Sequence, residues 1–403
     1  MRLLRVIPSM YPSSGGPCQG IRNSIPEMKK LGVENEVVCL DDINADYQRQ
    51  DSFLIHPLGE SNNPWAYNKH LVSWLTLHLI NFDVVIIHGL WQYHSYAVRK
   101  AIRSLVSKST NRIPKVFVMP HGMLDPYFQK APDRKLKAAR NWIYWNLIEG
   151  KVINEADGLL FTCEEELKLA RKTFQFYFPK REINVGYGIS SPPPFAPNMT
   201  KAFKENCPNL EEKPYLLFLS RIHEKKGIEL LLKAYSKITR GCLYNTSQDN
   251  DEFPQLVIAG PGLETLYGKK IKNMALNDPN LQRNVHFTGM LTGDAKWGAF
   301  YGCEAFVLPS HQENFGIAVV EALACAKPVL ISNQVNIWRE IQEAEGGMVA
   351  NDTLDGIYEL LKSWKNLKKE IRLRMEKNAK KTFEKHFASG PAAHKLLNAI
   401  SSK

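Results

Sequence analysis

Short, mostly apolar runs alternate along this chain with longer stretches in which apolar positions recur every three to four residues. In the first half the runs are 3–7, 36–40, 84–88, 116–119, 158–162 and 183–186; in the second they are 215–219, 255–259, 285–288, 305–308 and 328–332. Runs of this length are strands, and strands apolar on both faces belong to parallel sheets covered on each side by helices. The alternation therefore predicts α/β architecture, with two Rossmann-like, doubly wound parallel-sheet domains.

Residues 188–214 hold six prolines and show no helical period until their middle, so the domain boundary is drawn there. This divides the chain into a domain over 1–195 and a second over 205–384, with a last helix over 385–403 expected to pack back on the first domain. The polar stretch 239–252 reads as a surface loop. Sheets of this type bind ligands beyond the carboxyl ends of their strands, so a cleft faced by both sheets is the expected site.

The 403-residue length agrees with two domains, and 44% hydrophobic with 23% charged residues is an ordinary globular composition. Lys and Arg outnumber Asp and Glu by 52 to 41, a net charge of +11 that favours anionic partners without choosing among them. Seven scattered Cys with no CxxC pair argue against a disulfide framework or zinc site and for a reduced, cytoplasmic protein. No run approaches the length of a membrane span, and Pro8 and Pro12 interrupt the first apolar stretch too early for a signal peptide. The sequons at Asn198 and Asn245 carry little weight in that setting, and any membrane role would be peripheral.

One helix breaks the pattern. From Gly316 to Ala326 it is apolar on every side except at Glu321. A Glu is almost never fully buried without a partner, so Glu321 either lies at an exposed edge, reaches a cavity, or meets an Arg, a Lys or a hydroxyl-rich ligand. Eight positions earlier stands Glu313, in the loop after the strand 305–308. The segment SRIHEKKG puts Arg221 and Lys226 between a strand and an amphipathic helix, where the helix dipole already favours anions. Two readings stand: solvated surface cations, or a clamp for a diphosphate. Gly15 and Gly16 allow either a plain tight turn or close approach to a phosphate; neither a GxGxxG nor a Walker motif occurs.

Taken together, SRIHEKKG, NVHFTG and EAFVLPSHQENFGIAVVEALACAKPVLIS, with the looser GG and MPHGMLDP of the first half, resemble the retaining "group 1" nucleotide-sugar glycosyltransferases of the GT-B fold. Glu313 and Glu321 match the E-x7-E pattern of that family. The resemblance implies that Arg221 and Lys226 hold the donor diphosphate and that Glu321 accepts from the ribose hydroxyls. Glu313 and the main chain of Asn314, Phe315 and Gly316 would hold the sugar. The chain near Met290 would meet the base, Gly16 would lie against the phosphates, and His121 would reach the sugar near its reacting carbon, although a lone His is more often structural.

The implied reaction is transfer of a hexosyl unit from a UDP- or GDP-sugar to a glycan or lipid-linked acceptor, with retention and without a metal or other cofactor, in bacterial polysaccharide or lipopolysaccharide assembly. Asp41–Asp42 and Asp249–Asn250–Asp251 read as loop charges and not as metal ligands. A nucleotide-sugar epimerase, a phosphorylase or a non-catalytic sugar-nucleotide binder on the same architecture stay as alternatives. Nucleic-acid binding does not, because no basic-aromatic module of recognised spacing accompanies the charge.

Residues 127–152 carry Lys130, Arg134, Lys135, Lys137 and Arg140 ahead of Trp142, Tyr144 and Trp145. Cations followed by aromatics suit an anionic bilayer surface. The competing reading is an amphipathic helix that packs its aromatics inward.

Overall fold

The structure is a computed structural model that describes residues 1–402 apart from 62, 109–111, 132, 133, 211, 212 and 245–252. The chain forms two compact units, residues 1–190 with 388–403, and residues 191–387.

In the first unit seven strands make one parallel sheet: β1 (Arg2–Val6), β2 (Glu34–Cys39), β3 (Leu54–Pro57), β4 (Val84–His88), β5 (Lys115–Met119), β6 (Gly158–Phe161) and β7 (Glu182–Asn184). Their order is β3-β2-β1-β4-β5-β6-β7. The apolar runs place side chains on both faces. Leu4, Val6, Val85, Ile87 and Val118 enter one core, while Leu3, Val84, Ile86, Phe117 and Met119 enter another. The second core is completed from far along the chain, since Ala393, Leu396, Ala399 and Ile400 of the helix Ser389–Ser401 pack into it.

The second unit repeats the plan with six parallel strands: β8 (Tyr215–Leu219), β9 (Gln255–Ala259), β10 (Val285–Gly289), β11 (Ala305–Leu308), β12 (Val329–Ser332) and β13 (Gly347–Ala350), ordered β10-β9-β8-β11-β12-β13. In both sheets the strand order reverses beside the first strand, between β1 and β4 and between β8 and β11. That reversal is the topological switch point at which doubly wound sheets take ligands.

Two strands, β3 and β13, escape the apolar pattern. Both lie at sheet edges and neither has a fully buried position, so neither needs a continuous apolar run. The segment 239–252 is not simply a loop. The helix Ile228–Tyr244 continues into it, and the buried Thr239 turns its hydroxyl back to the Tyr235 carbonyl at 3.0 Å. Its remainder, 245–252, with Asp249–Asn250–Asp251, lies outside the described residues. Nor is the proline-rich segment all linker, because the helix Pro197–Asn206 packs on the helix Gly293–Gly302.

Candidate active site

In the second unit the loops after β8 and β11 emerge side by side at the switch point, because those strands pair directly. The two loops are tied together. His311 N–H donates to the Lys225 carbonyl at 2.7 Å. Gly227, at φ +68°, lies so close to Pro309 that a Cβ would collide with the Pro309 carbonyl. The first loop carries Arg221 and Lys226, the second Glu313.

Lys226 and Glu313 form an ion pair, with side chains 14% and 20% exposed. Arg221 is exposed and makes no hydrogen bond or ion pair among the described residues. The doubly cationic corner expected from SRIHEKKG is therefore half neutralised: Lys226 has a carboxylate within reach and takes it, while Arg221 stays open to an anion. Main-chain bonds fix Glu313 further, from its N–H to Gln334 O and to its carbonyl from Asn336 N–H, both 2.9 Å.

Gly316 caps the helix Ile317–Ala324 in the left-handed region, φ +74°, which turns the chain sharply between Glu313 and the helix. Asn314 sits 3.4 Å from Asn336 through the two side-chain amides. Phe315 is buried against Phe387, so only its main chain faces the loop.

Glu321 answers the question its helix poses. Its neighbours Val320, Ala322 and Leu323 are buried, and its own side chain is 12% exposed. The partner is Lys296, whose Nζ lies 2.6 Å from Oε1. Burial raises the Glu321 carboxyl and the lysine opposes that rise. Lys296 escapes sequence reading because nothing in the helix Gly293–Gly302 marks one lysine as a partner for a residue 25 positions away. Met290 follows the edge strand β10 and is 67% exposed.

In the first unit Gly16 opens the 15-residue helix Gly16–Lys30 after Gly15 at φ +92°, and its carbonyl accepts from the Tyr187 hydroxyl. His121 follows β5 and adopts φ +52°, rare for a residue with a Cβ. That turn is held by Glu166, whose Oε1 accepts from Gly122 N–H at 2.5 Å and whose Oε2 accepts from Thr162 N–H at 2.7 Å. The His121 ring is 3.0 Å from His88, through Nε2 and Nδ1. Burial, aided by the Arg5 guanidinium, lowers His121 to about 3, so it is neutral near pH 7. Arg5, His88, Tyr187 and Glu166 were not anticipated. A charged residue in the middle of LLRVI was the one available signal, since a buried guanidinium demands acceptors.

The basic-aromatic segment divides differently from expectation. Trp145 is buried, stacked on Phe174 at 4.6 Å and bonded to Gln175 O at 2.8 Å. The Tyr144 hydroxyl accepts from Trp65 Nε1 at 2.6 Å. These two aromatics face the unit's interior because both have polar tips that find partners there. Outward lie Trp142, Leu136, Ile143 and Leu147, at 61%, 89%, 52% and 63% exposure. No helix among the described residues is long and apolar enough to cross a membrane.

Comparison with known proteins agrees with this architecture. Residues 200–382 match the family described as "Glycosyl transferases group 1", and residues 15–185 match "Glycosyl transferase 4-like domain". An uncharacterized glycosyltransferase of Methanocaldococcus jannaschii is 27% identical over 96% of this chain and 95% of its own length. The O-antigen chain mannosyltransferase C of Escherichia coli is 27% identical over 47% of this chain, and the match spans 46% of that relative. Two further relatives are likewise matched over 42% and 45% of their length, so the chain spans about half of several of its relatives. The structure of Anabaena HepE in complex with UDP-glucose superposes with TM-score 0.70 at 14% identity, covering 100% of both chains. With two Rossmann-like units, both halves matched, Glu313 in the switch-point loop of the second unit and Glu321 on the helix that follows it, this chain has the GT-B fold, its second half a group 1 glycosyltransferase domain and its first a glycosyl transferase 4-like domain.

Proposed function

We propose that the protein transfers a hexosyl unit from a UDP- or GDP-sugar to a glycan or lipid-linked acceptor, with retention of anomeric configuration. The observation that carries this reading is the pair of loops after β8 and β11, where the exposed Arg221 shares a loop with Lys226 of the Lys226–Glu313 ion pair. A donor diphosphate offers Lys226 a second anionic partner and gives Arg221 its first, while Glu313 keeps acceptor capacity for sugar hydroxyls. Glu321 is assigned to the ribose, Met290 and its neighbours to the base, the main chain of Asn314, Phe315 and Gly316 to the sugar. Gly16 is assigned to the phosphates and His121 to the reacting sugar.

In this mechanism the bond from the anomeric carbon to the diphosphate oxygen breaks, and the acceptor oxygen bonds that carbon on the same face. The acceptor's proton passes to the leaving phosphate. Negative charge grows on the diphosphate in the transition state, where preorganised cations act most strongly. No metal is assigned, because the two cations meet that charge. Likeness to an O-antigen mannosyltransferase supports a role in bacterial polysaccharide or lipopolysaccharide assembly. The exposed apolar residues 136, 143 and 147, spaced by seven and four and flanked by Lys135, Lys137 and Arg140, support a peripheral position at an anionic, cytoplasmic membrane face.

The deciding experiment screens a panel of nucleotide sugars for stabilisation of the protein. A true donor at 100 times its Kd adds about 2.7 kcal/mol. The stabilising donor is then offered to saccharide acceptors in the presence of EDTA, and the product's anomeric proton is read by NMR. Absence of stabilisation by every nucleotide sugar overturns the reading, and release of free sugar-1-phosphate dependent on inorganic phosphate would assign a phosphorylase instead.

A further inference from the structure

Polar residues line up across the first unit's sheet where only apolar ones are expected. Side chains alternate along a strand, so Leu3 and Arg5 on β1, Val84, Ile86 and His88 on β4, and Phe117 and Met119 on β5 share one face. His121 continues the β5 series. The result is a hydrogen-bonded row: Arg5 Nε to Asn35 Oδ1 at 3.0 Å, Arg5 Nη1 to His88 Nε2 at 3.5 Å, and His88 Nδ1 to His121 Nε2 at 3.0 Å. Arg5 and His88 are each 2% exposed, and among the described residues no carboxylate pairs with either.

The direction of every proton in this row follows from its first member. A guanidinium has only donors. His88 Nε2 must therefore accept, which leaves the His88 proton on Nδ1. That proton points at His121 Nε2, which must accept in turn. His121 is then protonated on Nδ1, the nitrogen with no partner among the described residues. The surrounding titratable groups do not reverse this order. His94 Nε2 lies 3.0 Å from the His88 carbonyl, Tyr187 meets the His121 ring edge-on at 6.2 Å, and Glu166 is bound to Gly122 N–H.

We propose that Arg5 and His88 are positioning residues that hold His121 as its neutral Nδ1–H tautomer, so that it meets the substrate as a hydrogen-bond donor and not as a base. The catalytic consequence rests on the transfer reaction proposed above; the tautomer does not. A donating imidazole suits that reaction, in which the leaving phosphate takes the acceptor's proton and a base at His121 has no task.

The test begins with donor-free, 15N-histidine-labelled wild-type protein at pH 7. Multiple-bond 15N–1H NMR, with His121 assigned by the peaks lost in His121→Gln, should show a protonated Nδ1 and a bare Nε2. A protonated Nε2 overturns the proposal whether or not the protein is a transferase. Kinetics then test the positioning role. His88→Leu and Arg5→Met should each lower kcat by about tenfold or more with KM little changed, the scale at which outer hydrogen-bond partners of an imidazole act at metal sites. His88→Asn, whose amide nitrogen stands near the Nδ1 position, should recover part of the loss. Wild-type kcat in His88→Leu overturns the positioning role, as does His88→Asn no better than His88→Leu. A wild-type protein inactive with every nucleotide sugar sinks the transfer reading instead, and the NMR result still decides the tautomer.

Discussion

Lys296 Nζ lies 2.6 Å from Glu321 Oε1, and the two side chains are 24% and 12% exposed. The second glutamate of the E-x7-E pair is thus charge-compensated within its own unit before any donor arrives. Lys296→Met should leave that carboxylate desolvated without a counter-charge and destabilise the protein by about 1–3 kcal/mol. Glu321→Gln should be milder for stability but should weaken donor binding by roughly 1.5–3 kcal/mol, since a neutral amide loses charge-assisted acceptance from hydroxyls. Urea unfolding and calorimetric titration with the stabilising nucleotide sugar separate the two effects. Unchanged donor affinity in folded Glu321→Gln would remove the ribose assignment.

Arg221 and Lys226 differ in their surroundings, and their variants should differ too. Each alanine substitution is expected to lower turnover by about 10²–10³-fold, by analogy with loss of one oxyanion donor. Lys226→Ala should also reduce stability, because it strands Glu313; Arg221→Ala should not, because Arg221 is exposed and unpaired among the described residues. Arg221→Lys should not restore full activity, for a point charge cannot replace a planar fork on two phosphate oxygens. Steady-state kinetics beside thermal melts read both quantities. Single variants with normal turnover would rule out the clamp.

The pH dependence of stability has an identifiable source in Glu149, which is fully buried. Its Oε2 accepts from Trp91 N–H at 3.3 Å and from the Ser95 hydroxyl at 3.0 Å, and burial still pushes the carboxyl up to about 8. Between 4.5, its ordinary value, and about 8 the folded state holds a proton that the unfolded state lacks. The stability this contributes is fully present below 4.5 and is lost as pH rises through about 8, with a slope of at most about 1.4 kcal/mol per pH unit. Glu149→Gln should remove that slope. Unfolding of wild type and variant at pH 6 and pH 9 checks it, and the variant's relative advantage should be larger at pH 9.

At the basic helix, co-sedimentation with anionic liposomes at physiological salt is expected. Charge reversal or neutralisation of Lys130, Arg134, Lys135, Lys137 and Arg140 should abolish it. Leu136, Ile143 and Leu147 to Ser should weaken it without harming the fold, since all three are more than half exposed. Failure of the unaltered protein to sediment would leave the surface solvated.

The sequence made both sheets legible where strands are buried on two faces, because burial there leaves a continuous apolar run. It concealed β3 and β13, whose edge positions lift that demand. Arg221, Lys226, Glu313 and Glu321 could be singled out because charge at a strand end, or inside an apolar helix, conflicts with local propensity. Their partners could not. The ion pair of Glu321 with Lys296 and the row from Arg5 to His121 join residues 25 to 116 positions apart, and only the register of the sheets and the packing of helices bring them together.

The helix Ser389–Ser401 closes the core of a unit whose strands were finished by Asn184. During synthesis the surface formed by Leu3, Ile86 and Phe117 has Met28 and Val33 against it but lacks this helix while the whole second unit is being made. At ribosomal rates of about 5–20 residues per second that interval is roughly 10–40 s. The second unit can mature as it emerges, whereas the first gains the packing of Ala393, Leu396, Ala399 and Ile400 only after the second has been made.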